Sequence, residues 1–117
     1  MRVFKDVEYK KQTSCKMDMY LPEIDGFQTI VWFHGGGLTS GDKEGGERLA
    51  PAFVEAGYGF ICVNYRMYPD GVKFPDFLLD AADSIAFVKT NIEKYGGKNN
   101  KLYISGQSAG AWLSLML

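Results

Sequence analysis

The sequence has little imidazole or thiol to work with. His34 is the only histidine, so a multi-histidine metal site is excluded and no metal is expected. The two cysteines, Cys15 and Cys62, lie far apart, with no C-x-x-C between them. A zinc ribbon and a redox dithiol motif are therefore unsupported. Two free thiols in a reducing compartment is the simplest reading, with a single bridge as the alternative. Charge of one sign is also missing. The 13 basic and 14 acidic residues are spread along the chain and sum to −1, leaving no basic stripe for nucleic acid and no acidic tail. No apolar run is long enough to cross a membrane, and the opening MRVFKDVEYKK lacks the apolar core of a signal peptide. A cytoplasmic location is the expectation. Repeats, low-complexity tracts and Pro/Ser-rich linkers are absent. A length of 117 residues fits one domain at most.

What is present is an ordinary globular composition, 46% hydrophobic and 23% charged. Val3, Val7 and Tyr9 alternate imperfectly. Cys15, Met17, Met19 and Leu21 then alternate with Lys16, Asp18 and Tyr20, predicting a half-buried strand that Pro22 ends. Thr29–Phe33 is a short, β-rich, continuously apolar run of the kind found in buried parallel strands. It leads straight into His34-Gly35-Gly36-Gly37 and a glycine-rich loop. Leu49, Phe53 and Ala56 recur at helical spacing, with Pro51 near the helix start and Gly57 past its end. Gly59–Val63 predicts another buried strand, followed by Asn64-Tyr65-Arg66. Leu78, Ala81, Ile85, Val88, Ile92 and Tyr95 step along one face of a long helix. Pro75 and Asp76 suit its first turn, and Gly96-Gly97 stops it. Leu102–Ile104 is a last apolar strand that feeds Gly106-Gln107-Ser108-Ala109-Gly110, and an apolar helix begins there. Strand and helix alternate after residue 28, which predicts a mostly parallel sheet with helices on both faces. The first two strands, with no helix between them, form an antiparallel edge.

A G-x-S-x-G pentapeptide between strand and helix has a mechanical rationale. The turn is sharp enough to strain the serine and project its hydroxyl, and the glycines avoid clashes with the flanking strand and helix. The dipole of the helix favours negative charge at Ser108, and the Ala109 N–H is free to donate. The glycines after His34 let main-chain N–H groups approach a ligand. Both motifs follow strands expected to be parallel, at the edge where open α/β sheets bind ligands. Donors from Gly36, Gly37 and Ala109 can then surround an oxygen that turns anionic when a hydroxyl attacks an acyl carbon.

With HGGG, NYR before a nearby proline, FP opening a helix that contains DA, and GQSAG in that order, the chain resembles the α/β-hydrolase fold. Within it, the chain is similar to hormone-sensitive-lipase-like esterases and related carbohydrate esterases, from about Lys16 to Leu117. The resemblance implies that Ser108 is the nucleophile and that Gly36, Gly37 and Ala109 form the oxyanion hole. His34 organises the glycine loop, and Gly35, Gly106 and Gly110 support the two turns. It also implies no cofactor and a small-molecule ester as substrate. Many relatives carry an acidic residue where Gln107 stands, glycine where Ala111 stands and an aromatic residue where Leu38 stands. Those departures bear on subclass more than on reaction type. The triad acid and histidine of the family follow the serine, and neither an acid nor a histidine stands among residues 109–117. Residues 1–117 are thus expected to be the N-terminal portion of a single α/β-hydrolase domain, inactive alone, with one sheet face and one edge exposed.

Several alternatives stay open at the level of sequence. His34, as the only histidine, is an alternative base for Ser108. Ser108 is otherwise a solvent-facing turn residue. Gly36 and Gly41 are spaced as in a phosphate-binding loop, but Asp42 stands where its lysine belongs. Arg66, Asp76 and Asp80 form either a substrate site or an ion pair with helix-dipole support. Cys62 reads as core, while Tyr68 and Trp112 have no assigned role. At the level of function, the alternatives to a general carboxylesterase are an acetyl or feruloyl carbohydrate esterase, a formamidase-type amidase, and a non-catalytic fragment.

Overall fold

The computed structural model describes residues 1–117. Five strands form one mixed sheet: β1 (Arg2–Glu8), β2 (Lys16–Leu21), β3 (Phe27–Phe33), β4 (Gly59–Val63) and β5 (Gly97–Gly106). Their spatial order is β1-β2-β4-β3-β5. β1 and β2 pair antiparallel, as does β2 with β4. β3 lies parallel to both β4 and β5. The expected antiparallel start and parallel continuation are both present.

Helices cover the two faces unequally. On one face lie α2 (Asp76–Asn91) and α3 (Ala109–Met116). They bury Phe77, Ala81, Val88 and Leu113 against Met17, Met19, Val31, Phe33, Ile61 and Val63 in a 14-residue core. On the other face, α1 (Ala50–Glu55) presents Ala50 and Val54 to Tyr20, Trp32, Phe60 and Cys62, a core of only six residues. Cys15 and Cys62 are free and buried. β5 pairs only with β3, so its outer edge is open and much of the strand is exposed. No helix is long and apolar enough to cross a membrane.

Three elements differ from the sequence expectation. β2 is buried on both faces rather than one, because α1 and its preceding 3-10 segment (Lys43–Leu49) cover the Asp18 and Tyr20 side. The inward face of α1 is Ala50 and Val54, while Leu49 and Phe53 remain more than a third exposed. The buried stripe of α2 is rotated toward Phe77, Asp80, Ala81, Ser84 and Val88, leaving Leu78 and Ile85 half-buried. The rotation follows Asp80. Its carboxylate is wholly buried and takes both forks of the Arg66 guanidinium at 2.8 Å, the Arg66 amide at 3.0 Å and Lys10 at 2.8 Å. Burial alone raises the Asp80 carboxyl, but the Arg66 and Lys10 bonds outweigh it and hold the group below its ordinary value. Of the two readings of Arg66 and Asp80, the ion pair is the one observed.

Candidate active site

The parallel register brings three motifs to one rung. Phe33 is level with Val63 on one side and with Gly106 on the other. His34, Asn64 and Gln107 therefore leave the carboxyl edge of the sheet side by side. The Gln107 amide donates to the Phe33 carbonyl at 3.1 Å, extending the β3–β5 ladder one step into the loops.

Ser108 occupies φ 54°, ψ −115°, between the end of β5 and the start of α3. This combination lies outside the left-handed well and costs a non-glycine residue about 1–3 kcal/mol. The flanking glycines make the turn possible. A Cβ on Gly106 would overlap the Gly110 carbonyl and lie 2.7 Å from the Ala111 nitrogen. A Cβ on Gly110 would overlap the Phe33 carbonyl and lie 2.7 Å from the His34 oxygen. Both collisions are with main chain, which has no rotamer by which to yield. Ser108 is exposed, and its carbonyl accepts from the Trp112 amide at 3.1 Å.

The glycine loop folds back on itself. Gly36, Gly37 and Leu38 all have positive φ. The Gly36 carbonyl collects the amides of Thr39 and Ser40 at 3.1 Å, and the Thr39 hydroxyl at 3.0 Å. The amides of Gly36, Gly37 and Ala109 donate to none of the turn and loop carbonyls. Gly35 meets the Ser108 turn directly: a Cβ there would lie 2.7 Å from the Gln107 oxygen and 3.1 Å from the Ser108 Cβ. A cavity of about 220 Å3 lies between the two loops, lined by His34, Gly35, Gly36, Gly41, Asp42, Gln107 and Ser108, with Trp32 and Gly45.

His34 is buried under this loop. Its Nδ1 is 2.7 Å from the Gly35 carbonyl, which makes Nδ1 the protonated nitrogen. Its ring stacks on Tyr65 at 4.6 Å and 12°. Burial pushes the imidazole below its ordinary value, and the Gly35 bond offsets this only in part. A neutral ring that spends its only N–H on the adjacent carbonyl is placed to shape the loop. It makes no hydrogen bond to Ser108.

The roles of Asn64, Tyr65 and Lys43 were not assigned from sequence. Tyr65 is fully buried and donates its hydroxyl to the His34 carbonyl at 2.7 Å. Asn64 accepts from the Lys43 amide at 2.7 Å and donates to Asp42 at 2.9 Å, tying the far end of the glycine loop to β4. Lys43, in a stretch read as polar loop, is 6% exposed and paired with Asp6 at 2.9 Å and Asp18 at 3.2 Å. The signal for Asn64 and Tyr65 was their position. They directly follow a buried strand that is level with the other two motif strands. No group of three or more His, Cys, Asp or Glu side chains is placed to hold a metal ion.

Known proteins are similar to this chain in sequence and in fold. A probable isoprenylcysteine alpha-carbonyl methylesterase of Oryza sativa subsp. japonica is 36% identical over 115 residues, covering 97% of this chain and 27% of the relative. A probable carboxylic ester hydrolase, LipM, of Mycobacterium tuberculosis is 37% identical over 81 residues, covering 68% of this chain and 19% of the relative. The chain thus spans about a quarter of the length of such relatives. Among solved structures, the apo form of Thermogutta terrifontis esterase 2 superposes with a TM-score of 0.83 at 28% identity, covering 97% of this chain and 44% of that one. The family model BD-FAE matches residues 17–117. By the family match, the sequence identity and the shared fold, the chain belongs to the BD-FAE family, among the α/β-hydrolase esterases.

Proposed function

We propose that residues 1–117 supply the nucleophile and the oxyanion donors of a serine carboxylic-ester hydrolase that works through an acyl-enzyme. Ser108 Oγ attacks the acyl carbon, and the carbonyl oxygen becomes an oxyanion. The amides of Gly36, Gly37 and Ala109 donate to that oxygen. Loss of one such donor typically raises the barrier by about 3–4 kcal/mol. The ester C–O bond then breaks, the alcohol leaves with a proton, and water releases the acid. The observation that carries this reading is the Ser108 turn. A strained serine, forced glycines on both sides and an abutting glycine loop form an arrangement that a solvent-facing turn serine does not need.

The base and acid of the triad come from outside these residues, since His34 holds its N–H on Gly35 and carries the structural role. The same reading makes residues 1–117 the N-terminal portion of a single domain, in keeping with the relatives' greater length. On its own the chain is expected to turn over esters negligibly. A serine without a base is a weak nucleophile. A fluorophosphonate probe tests the assignment on the chain itself. Slow labelling that maps to Ser108 and disappears in Ser108→Ala supports it. Labelling spread over other hydroxyls with Ser108 unmodified would refute it, and rapid p-nitrophenyl acetate turnover would refute the missing base.

A further inference from the structure

The cavity of about 220 Å3 between the glycine loop and the Ser108 turn holds polar groups that the ester chemistry above leaves unused. His34 lines it, is 2% exposed, and has no hydrogen-bond partner at Nε2. Nδ1 holds its proton against the Gly35 carbonyl, so Nε2 is a lone-pair acceptor. The rest of the ring is accounted for. Tyr65 stacks on one face, and Gly41 closes on the Nδ1–Cε1 edge, where a Cβ would lie 2.6 Å from Nδ1. Nε2 is what the ring has left to offer the cavity. Folded proteins rarely bury an acceptor without a donor.

The second acceptor is Asp42, the one charged side chain that lines the cavity. Its Oδ1 accepts from the Asn64 side chain at 2.9 Å and its Oδ2 from the Glu44 amide at 3.0 Å. Each oxygen keeps a further lone pair. Burial alone raises the Asp42 carboxyl, but those two bonds outweigh it and hold the group below its ordinary value. Near neutral pH it is therefore an anion. No Lys or Arg lines the cavity to neutralise it. The neighbouring Lys43 is paired with Asp6 and Asp18. In the adjoining hollow Glu44 and Glu47 stand with Arg48, and Lys5 lies 3.4 Å from Glu47. Two carboxylates there face two cations, so the charge that Asp42 brings to the cavity is not cancelled from outside.

We propose that this cavity receives an ammonium group carried on one half of the ester, with one N–H donating to His34 Nε2 and another to the Asp42 carboxylate. An ammonium has three donors and no acceptor, the complement of what the two side chains present. An alkyl group in the same place would strip water from both acceptors and return no hydrogen bond. Ser108 lines the same small cavity, so the cation and the reacting carbonyl belong to one short molecule. Amino-acid esters and short amino-alcohol esters are the class that fits. This selectivity rests on Ser108 being the reacting centre.

Three esters of one shape test the site without a variant. Glycine ethyl ester, ethyl glycolate and ethyl propionate carry an ammonium, a hydroxyl and a methyl at the same position. Nitrogen NMR of the lone histidine reads Nε2 directly. At about pH 7 the ester amine is largely protonated and His34 is neutral. Glycine ethyl ester is expected to move the Nε2 signal at about tenfold lower concentration than ethyl propionate, with ethyl glycolate between them. Asp42→Asn keeps an oxygen to cap the Glu44 amide and is expected to weaken the ammonium response about fivefold, leaving the propionate response as it was. Ser108→Ala leaves all three unchanged. Equal half-saturation by the ammonium and the methyl ester overturns the proposal. So does a glycolate that matches the glycine ester, which would make this a plain donor site. An Asp42→Asn chain that melts like the parent and responds like it overturns the proposal too. Fluorophosphonate labelling separates the two ideas. A labelled Ser108 beside an unmoved Nε2 signal sinks the ammonium site alone, and a responsive Nε2 beside an unlabelled Ser108 sinks the nucleophile alone.

Discussion

Replacing Tyr65 with Phe removes one oxygen atom and tests what holds the glycine loop. The ring stays, so its stacking on His34 at 4.6 Å and its edge contact with Phe33 at 6.4 Å survive. What is lost is the 2.7 Å hydrogen bond to the His34 carbonyl, which receives no amide from any turn or loop. Tyr65 is fully buried, and burial pushes its hydroxyl up to about 12, so it is a neutral donor at any ordinary pH. Leaving a buried acceptor without a partner costs about 1–3 kcal/mol. With a urea slope of about 2 kcal/mol/M, the unfolding midpoint drops by about 0.5–1.5 M. Urea titration of Tyr65→Phe beside the parent chain, followed by circular dichroism, measures it. The slope should not change, since no surface is added or removed. A midpoint within about 0.2 M of the parent refutes the idea that this bond anchors His34. A changed slope means that the denatured state, not the bond, was altered.

Two further outcomes follow from the same geometry. Gly110→Ala places a Cβ against the Phe33 and His34 main chain; it is expected to unfold the chain or lower its stability by more than about 3 kcal/mol. A soluble variant with the parent's melting curve would contradict the observed close approach. The lone histidine gives an unambiguous titration by nitrogen NMR, expected to show the Nδ1–H tautomer and a midpoint below the ordinary 6.5. Because the unfolded chain then binds a proton more readily than the folded one, the contribution of His34 is present above that ordinary value. It is lost as pH falls through the lower folded value. Asp80 adds a second acid loss, beginning near its ordinary 3.8 and continuing below it, in the same sense. Stability that rises on acidification from pH 7 to 5 would be the contrary result.

Much of this arrangement was legible because one physical rule generated it at each step. A continuous apolar run makes a strand buried on both faces, and a glycine motif after such a run must lie at its carboxyl end. Thr29–Phe33, Gly59–Val63 and the strand-to-helix turn at Ser108 therefore lie where the sequence pattern put them. The rest depended on partners distant in sequence. The first half of β5 is Lys98-Asn99-Asn100-Lys101, polar and exposed. Gly97 pairs with Phe27 and Leu102 with Thr29, so the four polar residues between them bulge out of register beside β3, which no local pattern announces. The stripe of α2 was misplaced because Asp80 is drawn inward by Arg66 and Lys10, which lie 14 and 70 positions away. Lys43 looked like solvent-facing loop until Asp6 and Asp18 approached it from β1 and β2.

The seam between the β3 and β5 motifs has a consequence for how variation is tolerated. It is made of main chain: an amide on a carbonyl between Gln107 and Phe33, and glycines pressed against Gln107, Phe33 and His34 backbone. The Gln107 side chain takes no part and is exposed. Its identity is free to change, whereas inserting or deleting one residue in either loop would shift both halves out of register. A chimera joined anywhere between the two loops carries the same backbone fit on each side of the junction. Homologous segments can therefore be exchanged there without redesigning the joint, so the most constrained part of the molecule is also one of its most interchangeable.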